Sequence, residues 1–124
     1  YRPTCGDVPV VESNGDFYAC DHFVAPEYRY GSIMASHLSE LLENPSQKQF
    51  GIDKQTKMAS DCKSCDVLHM CHGGCPKDRF VNSMNGKSPK NYLCPAYKRF
   101  FNHCRPFLSA LTAVHEHRKT KGAM

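Results

Sequence analysis

Four thiols fall within fourteen residues of this chain. Cys62, Cys65, Cys71 and Cys75 are spaced C-x2-C-x5-C-x3-C. Thiolates brought that close repel one another unless a cation sits among them, and soft sulfur donors suit zinc or an iron–sulfur cluster. Few apolar residues interrupt the run, so it has little besides bound metal to fold around. Three further cysteines extend the pattern: Cys5 and Cys20 flank Gly15 as C-x9-G-x4-C, and Cys94 precedes a proline. Cys104, the eighth, stands outside it. A secreted disulfide framework is the competing reading, and the clustered spacing and lack of a secretory signal count against it.

These candidate ligands need elements to hold them. Cys5 to Cys20 reads as a β-hairpin with a thiol at each end: Val8, Val10 and Val11, a turn at Ser13-Asn14-Gly15-Asp16, then Phe17-Tyr18-Ala19. Pro9 restricts the first strand to an edge or a short piece. Residues 25–32 read as a loop. Ser36 to Glu43 is a short helix capped by Ser36, and Asn44 caps a second helix with Pro45 at its first position. Residues 51–60 look like a polar connector into the knuckle. Cys71 and Cys75 lie one helical turn apart, Pro76 to Phe80 suggests a helical turn, and 82–91 reads as a loop.

The longest helix is expected over roughly 95–119, with Tyr97, Phe100, Phe101, Cys104, Phe107, Leu108, Leu111 and Val114 on one face. Pro106 should kink or split it. Cys104 on that stripe reads as a buried core thiol, with substitute ligation as the lesser reading. His22, His72 and His103 each lie near a cysteine in sequence and read as neighbours of ligands rather than ligands.

The 124 residues suit one domain. Hydrophobic content is 40%, and Gly and Pro number eight each. The expected fold is small α+β, metal-stabilised and loop-rich: an N-terminal β-hairpin, a Cys-rich knuckle, short helices and a C-terminal helix. Bound thiolates would offset most of the formal +4 charge, so basicity is weak evidence for a nucleic-acid partner. No apolar run approaches membrane-spanning length. Clustered free thiols point to a reducing, cytoplasmic setting. The chain opens at Tyr1 rather than Met, and we read residues 1–124 as one domain cut from a larger protein.

The seven-cysteine pattern with Gly15 resembles the SPASM domain, the C-terminal auxiliary-cluster domain of radical S-adenosylmethionine enzymes that modify peptides. Cys20-Asp21-His22, Gly51-Ile-Asp-Lys54 and Leu93-Cys94-Pro-Ala-Tyr-Lys-Arg-Phe-Phe101 look closest to the anaerobic sulfatase-maturating enzymes, also called arylsulfatase regulators. The resemblance implies two [4Fe–4S] clusters with interleaved ligands. Cys62, Cys65, Cys71 and Cys94 would hold one; Cys5, Cys20 and Cys75 would hold the other, whose fourth ligand lies upstream of Tyr1.

The resemblance further implies a parent enzyme that oxidises a sulfatase Cys or Ser to Cα-formylglycine. A separate domain there would bind S-adenosylmethionine and generate the radical, so the present chain alone would not be the enzyme. Asp21 occupies the position of the family's proposed general base, a role that calls for partial desolvation to lift its pKa. The partners implied are the sulfatase polypeptide and the missing radical domain. A different class of function is a non-enzymatic zinc-binding module for protein or nucleic acid, drawing on Lys87, Lys90, Lys98, Arg99 and Arg105. These basic residues do not interleave with exposed aromatics as nucleic-acid platforms do. Zinc could also take the same sites in protein made aerobically.

Overall fold

The computed structural model describes residues 1–83, Gly86 and residues 88–121. Lys87 and part of the 82–91 loop therefore lie outside the described residues. The elements are β1 (Val10–Val11), β2 (Asp16–Tyr18), β3 (Arg29–Ser32), α1 (Leu38–Leu42), α2 (Pro45–Thr56), α3 (Ser60–Lys63), α4 (Leu68–Cys71), β4 (Arg79–Val81), β5 (Lys90–Asn91) and α5 (Cys94–Lys121). Single 3-10 turns occupy Pro26–Tyr28 and Pro76–Asp78. The small mixed α/β architecture with a long last helix is the one expected.

β1 and β2 form the expected hairpin, pairing Val10 with Tyr18 and Val11 with Phe17. The turn closes where Gly15 takes φ +88°. A third antiparallel strand completes the sheet in the order β1-β2-β3. Residues 29–32 were expected as loop. Their pattern is irregular because a bulge falls between Phe17 and Tyr18, so period-two alternation is lost. The helical turn expected over 76–80 stops at Asp78, and Arg79–Val81 instead pairs as β4 with β5 at the end of the expected 82–91 loop.

α1 starts one residue later than expected. His37, not Ser36, caps it: the imidazole accepts from the N–H of Ser39, and the Glu40 carboxylate accepts from the N–H of His37. Asn44 caps α2 as expected, its Oδ1 accepting from the N–H of Ser46 at 2.8 Å. α2 then runs to Thr56, through residues expected as connector. Two i,i+4 contacts support that extension, Gln49 with Asp53 at 2.7 Å and Lys57 with Asp53 at 2.6 Å. Packing supplies the rest, since Gly51 and Lys54 are buried on the helix's inner face.

α5 continues without interruption through Pro106 rather than splitting. Its apolar stripe is not buried. From Arg105 to Thr120 every residue is exposed, including Phe107, Leu111 and Val114, and Cys104 is only half-buried. α5 packs on α4, and no other element of the described chain covers the stripe's later turns. The buried apolar core is small among the described residues: Phe17, Ala19, Leu41, Ala59 and Val67. No described helix is long and apolar enough to cross a membrane.

Gly51 shows how tightly the elements meet. The N–H of Cys5 donates to the Gly51 carbonyl at 3.3 Å, and a Cβ on Gly51 would run into the Cys5 carbonyl oxygen. Alanine has the better helix propensity by about 1 kcal/mol, but forcing backbone apart costs about 1–3 kcal/mol. Gly51→Ala is therefore expected to lower the denaturant midpoint of the chain; an unchanged or raised midpoint would show that Cys5 is not held against α2.

Candidate metal centre

Two short helices, a turn and the start of the long last helix gather the first thiol set. α3 carries Cys62, the turn after it carries Cys65, α4 ends on Cys71, and α5 begins at Cys94. All four cysteines are half-buried and line one cavity. The cavity's charged lining groups are engaged elsewhere: Asp61 with Lys90 and Lys98 with Asp66, each at 3.3 Å. Asp66 also faces Arg105 at 3.5 Å, whose guanidinium donates to the Asp66 carbonyl at 3.1 Å. One acidic residue thus fastens the knuckle to α5. Burial pushes the Cys62 thiol up, and Cys94, Cys71 and Cys65 push it further. Burial does the same to Cys71, opposed by the N–H groups of Gly73 and Gly74 and reinforced by Cys94 and Cys65. These thiols repel one another's charged forms, so a cation among them is the natural remedy.

The second set draws on different elements. Cys5 is held on α2, Cys20 follows β2, and Cys75 follows α4. The Cys75 thiol lies 3.4 Å from Nδ1 of His22. Cys20, Asp21 and His22 offer ligand atoms within 4.8 Å of one another. Burial raises the Cys5 thiol; Lys54 opposes, and the Cys75 thiol adds to the rise. Burial also raises Cys20, with Cys5 contributing. Three sulfur atoms from distant parts of the sequence therefore share one neighbourhood.

Cys71 and Cys75 are not on one helical turn. α4 stops at Cys71, and His72, Gly73 and Gly74 all turn left-handed, at φ 46°, 73° and 63°. Three such residues in succession reverse the chain, and glycine at two of them keeps the steric cost low. The reversal is why neighbouring thiols aim at different sets.

Polar side chains that sequence reasoning passed over hold this arrangement. Gln47, buried in α2, donates to the carbonyls of Gly6 and Ala19, next to Cys5 and Cys20. Asn91, also buried, donates to the Cys75 carbonyl at 3.1 Å and accepts from the N–H of Leu93 at 2.9 Å, beside Cys94. Arg79 donates to the carbonyls of His72 at 3.2 Å, Gly73 at 3.1 Å and Lys54 at 2.7 Å. Gln47 within a helix and Asn91 shortly before Cys94 carried a weak sequence signal, and Arg79 carried none.

The other candidates are spread. Asp21 is exposed, and its carboxyl sits below the usual carboxylate range because it accepts from the Cys20 thiol at 3.1 Å. This chain's own residues do not supply the desolvation expected for a base. His72 ends α4, with its pKa lowered by burial. His103 lines a shallow surface with Arg99 and Phe100 on α5. Cys104 is not among the residues lining the first thiol cavity.

A set of four thiols around one cavity fits a metal ligated wholly by thiolate, and zinc or an iron–sulfur cluster meets that description. The comparisons decide the class. Residues 5–66 match the SPASM family, described as an iron–sulfur cluster-binding domain. The chain belongs to that family. The match contains Cys5, Cys20, Cys62 and Cys65; the structure adds Cys71, Cys75 and Cys94 around them.

Among individual proteins, the chain is 43% identical over 104 residues to the serine-type anaerobic sulfatase-maturating enzyme of Bacteroides thetaiotaomicron, covering 84% of this chain and 25% of that protein. It is 35% identical over 105 residues to the cysteine-type anaerobic sulfatase-maturating enzyme of Clostridium perfringens, covering 85% and 28%. The solved structure of native anSMEcpe with bound AdoMet superposes with a TM-score of 0.72 at 34% identity, over 89% of this chain and 29% of the other. The same enzyme with bound AdoMet and the Kp18Cys peptide gives 0.69 at 32%, over 87% and 29%. The chain spans about a quarter of the length of the curated relatives it matches.

The raised thiols set a pH dependence. Cys5, Cys20, Cys62 and Cys71 hold their protons more tightly in the folded chain than at the ordinary thiol value of 9.0. Their contribution to stability is full below the unfolded value and is lost as pH climbs through the raised folded values. The metal-free chain should therefore show a denaturant midpoint that falls as pH rises above the ordinary thiol value of 9.0. Metal loading should strengthen over the same range, because ligation needs the thiolate. A metal-free midpoint that rises with pH would contradict this electrostatic picture.

Proposed function

We propose that the chain is the auxiliary-cluster domain of a sulfatase-maturating enzyme that converts a sulfatase Cys or Ser to Cα-formylglycine. The single observation that carries this is the convergence of seven cysteines, far apart in sequence, into two sets within a SPASM-family chain. Cys62, Cys65, Cys71 and Cys94 hold one [4Fe–4S] cluster. Cys5, Cys20 and Cys75 hold a second, with a fourth ligand from outside these 124 residues. The clusters supply a one-electron relay, and full thiolate ligation suits that work better than substrate binding. Support for a larger parent comes from the exposed apolar residues of α5 and from relatives roughly four times as long.

The chain's own residues position the ligands and handle the proton. Gln47 and Asn91 fix the backbone beside four of the seven cysteines. Asp21 sits beside a ligand and is exposed to solvent, where a carboxylate is ionised at neutral pH, the form a base needs. A docked peptide would cover it and raise its proton affinity. The substrate is then a sulfatase segment presented to the Cys20-Asp21-His22 face, with the radical domain of the same polypeptide on its other side.

Two experiments test this. Anaerobic reconstitution of the full-length protein should give brown protein rich in iron and sulfide. Cys94→Ser should remove about half of the iron assigned to these two clusters. Zinc-bound, colourless protein after the same treatment would overturn the cluster reading. Asp21→Asn should leave iron content unchanged while formylglycine formation falls by roughly 100-fold or more; full turnover in that variant excludes Asp21 as the base.

A further inference from the structure

We propose that Lys54 and Arg79 are the counter-ions of the two thiol sets: a pair of inward-facing cations placed between them to favour the reduced form of whatever cluster each set holds. The inference rests on the ligand assignment above.

Lys54 is 5% exposed on the inner face of α2, one turn after the glycine that holds Cys5. Its ammonium donates to the Arg2 carbonyl and lies 5.5 Å from the Tyr1 ring centroid. Arg79 is half-buried at the start of β4 and donates to three carbonyls, among them those of His72 and Gly73 in the reversal between Cys71 and Cys75. It also touches Lys54 through that residue's carbonyl.

Neither cation has an ion-pair partner among the described residues. The nearest acid in sequence to Lys54 is Asp53, which is taken by Lys57 at 2.6 Å. Two like charges placed side by side, one of them buried, are costly unless an anion compensates them. Both face a cavity walled by Phe23, Tyr28, Phe50 and Pro76, and the thiols are close enough to act on them electrostatically. Burial lowers the Lys54 pKa; Cys5, Cys75 and Cys71 work against that fall. Burial also lowers that of Arg79, opposed by Cys62, Cys5, Cys75 and Cys71. Arg79 thus feels members of both sets, whereas Lys54 leans toward the Cys5 and Cys75 set.

Reduction adds one electron, and so one negative charge, to a cluster. A fixed cation nearby favours that state, more so where water is excluded. Removing the cation makes reduction harder. The two side chains should therefore act on different clusters: Arg79 on both, and Lys54 chiefly on that of Cys5, Cys20 and Cys75.

The test is a redox titration of the anaerobically reconstituted full-length protein with chemical mediators, followed by electron paramagnetic resonance. The variants are Lys54→Met and Lys54→Arg, with Arg79→Gln and Arg79→Lys. Both Arg79 variants lose the planar fork, so the difference between them reports charge. Neutral variants should shift the reduction equilibrium at least tenfold toward the oxidised form, ~59 mV for a one-electron couple. Charge-retaining variants should stay near wild type. Loss of iron in the neutral variants alone, with Lys54→Arg and Arg79→Lys still loaded, supports the same conclusion. Wild-type potentials in the neutral variants overturn it, as do equal shifts in neutral and charge-retaining pairs. Iron and sulfide content left unchanged by Cys62→Ser and by Cys75→Ser overturns the ligand assignment itself, a separate and visible failure.

Discussion

The gathering of half-buried sulfur atoms, which can ionise together only around a cation, governs this molecule. Seven thiols stand in two groups, and burial together with neighbouring sulfur makes several of them hard to ionise. The apolar core has only Phe17, Leu41 and Val67 as sizeable members among the described residues. α3 and α4 span four residues each, far below the length at which a helix persists alone. Elements that short stay put only because something joins them. Ligation by these two groups would close long loops between α2, the hairpin, the knuckle and α5, and binding free energy would then be folding free energy.

Interleaving follows from one local device. Had α4 continued past Cys71, Cys75 would share its face and the four knuckle thiols would crowd one centre. Instead His72, Gly73 and Gly74 reverse the chain. His72 bears a strain of about 1–3 kcal/mol as a non-glycine left-handed residue. The guanidinium of Arg79 offsets that cost by fastening the carbonyls of His72 and Gly73. Asn91 then joins the Cys75 carbonyl to the start of α5, so the two groups are mechanically linked although they share no thiol.

The hairpin, the α2 cap and the long last helix could be read from the chain because each has a local cause. Asn14-Gly15 turns, Asn44-Pro45 starts a helix, and α5 repeats its apolar residues at helical spacing. β3, β4 and β5 could not, since a bulge or a non-local partner sets their pairing. The extent of α2 escaped for the same reason: Gly51 lowers propensity, while its contact with Cys5 forty-six residues earlier keeps it helical. Spacing placed the cysteines in a metal-binding class. It could not find Gln47, Lys54, Arg79 or Asn91, because nothing in a lone polar residue announces which distant carbonyl it will meet.

The distribution of burial inverts the usual one. Gln47, Lys54 and Asn91 lie inside, while Phe100, Phe107, Leu111 and Val114 lie outside. Polar side chains are ordinarily costly to bury, and hydrogen bonds offset that cost, in part for Gln47, whose buried Oε1 has no partner among the described residues. Each of these three donates to a main-chain carbonyl: Gln47 beside Cys5 and Cys20, Asn91 on Cys75, and Lys54 near the start of the segment that carries Cys5. Apolar replacements would pack as well but could not hold a backbone at a fixed distance from sulfur. The interior is therefore arranged for the placement of thiols rather than for the greatest apolar burial, and that explains why so much apolar surface on α5 can remain outside without undoing the fold.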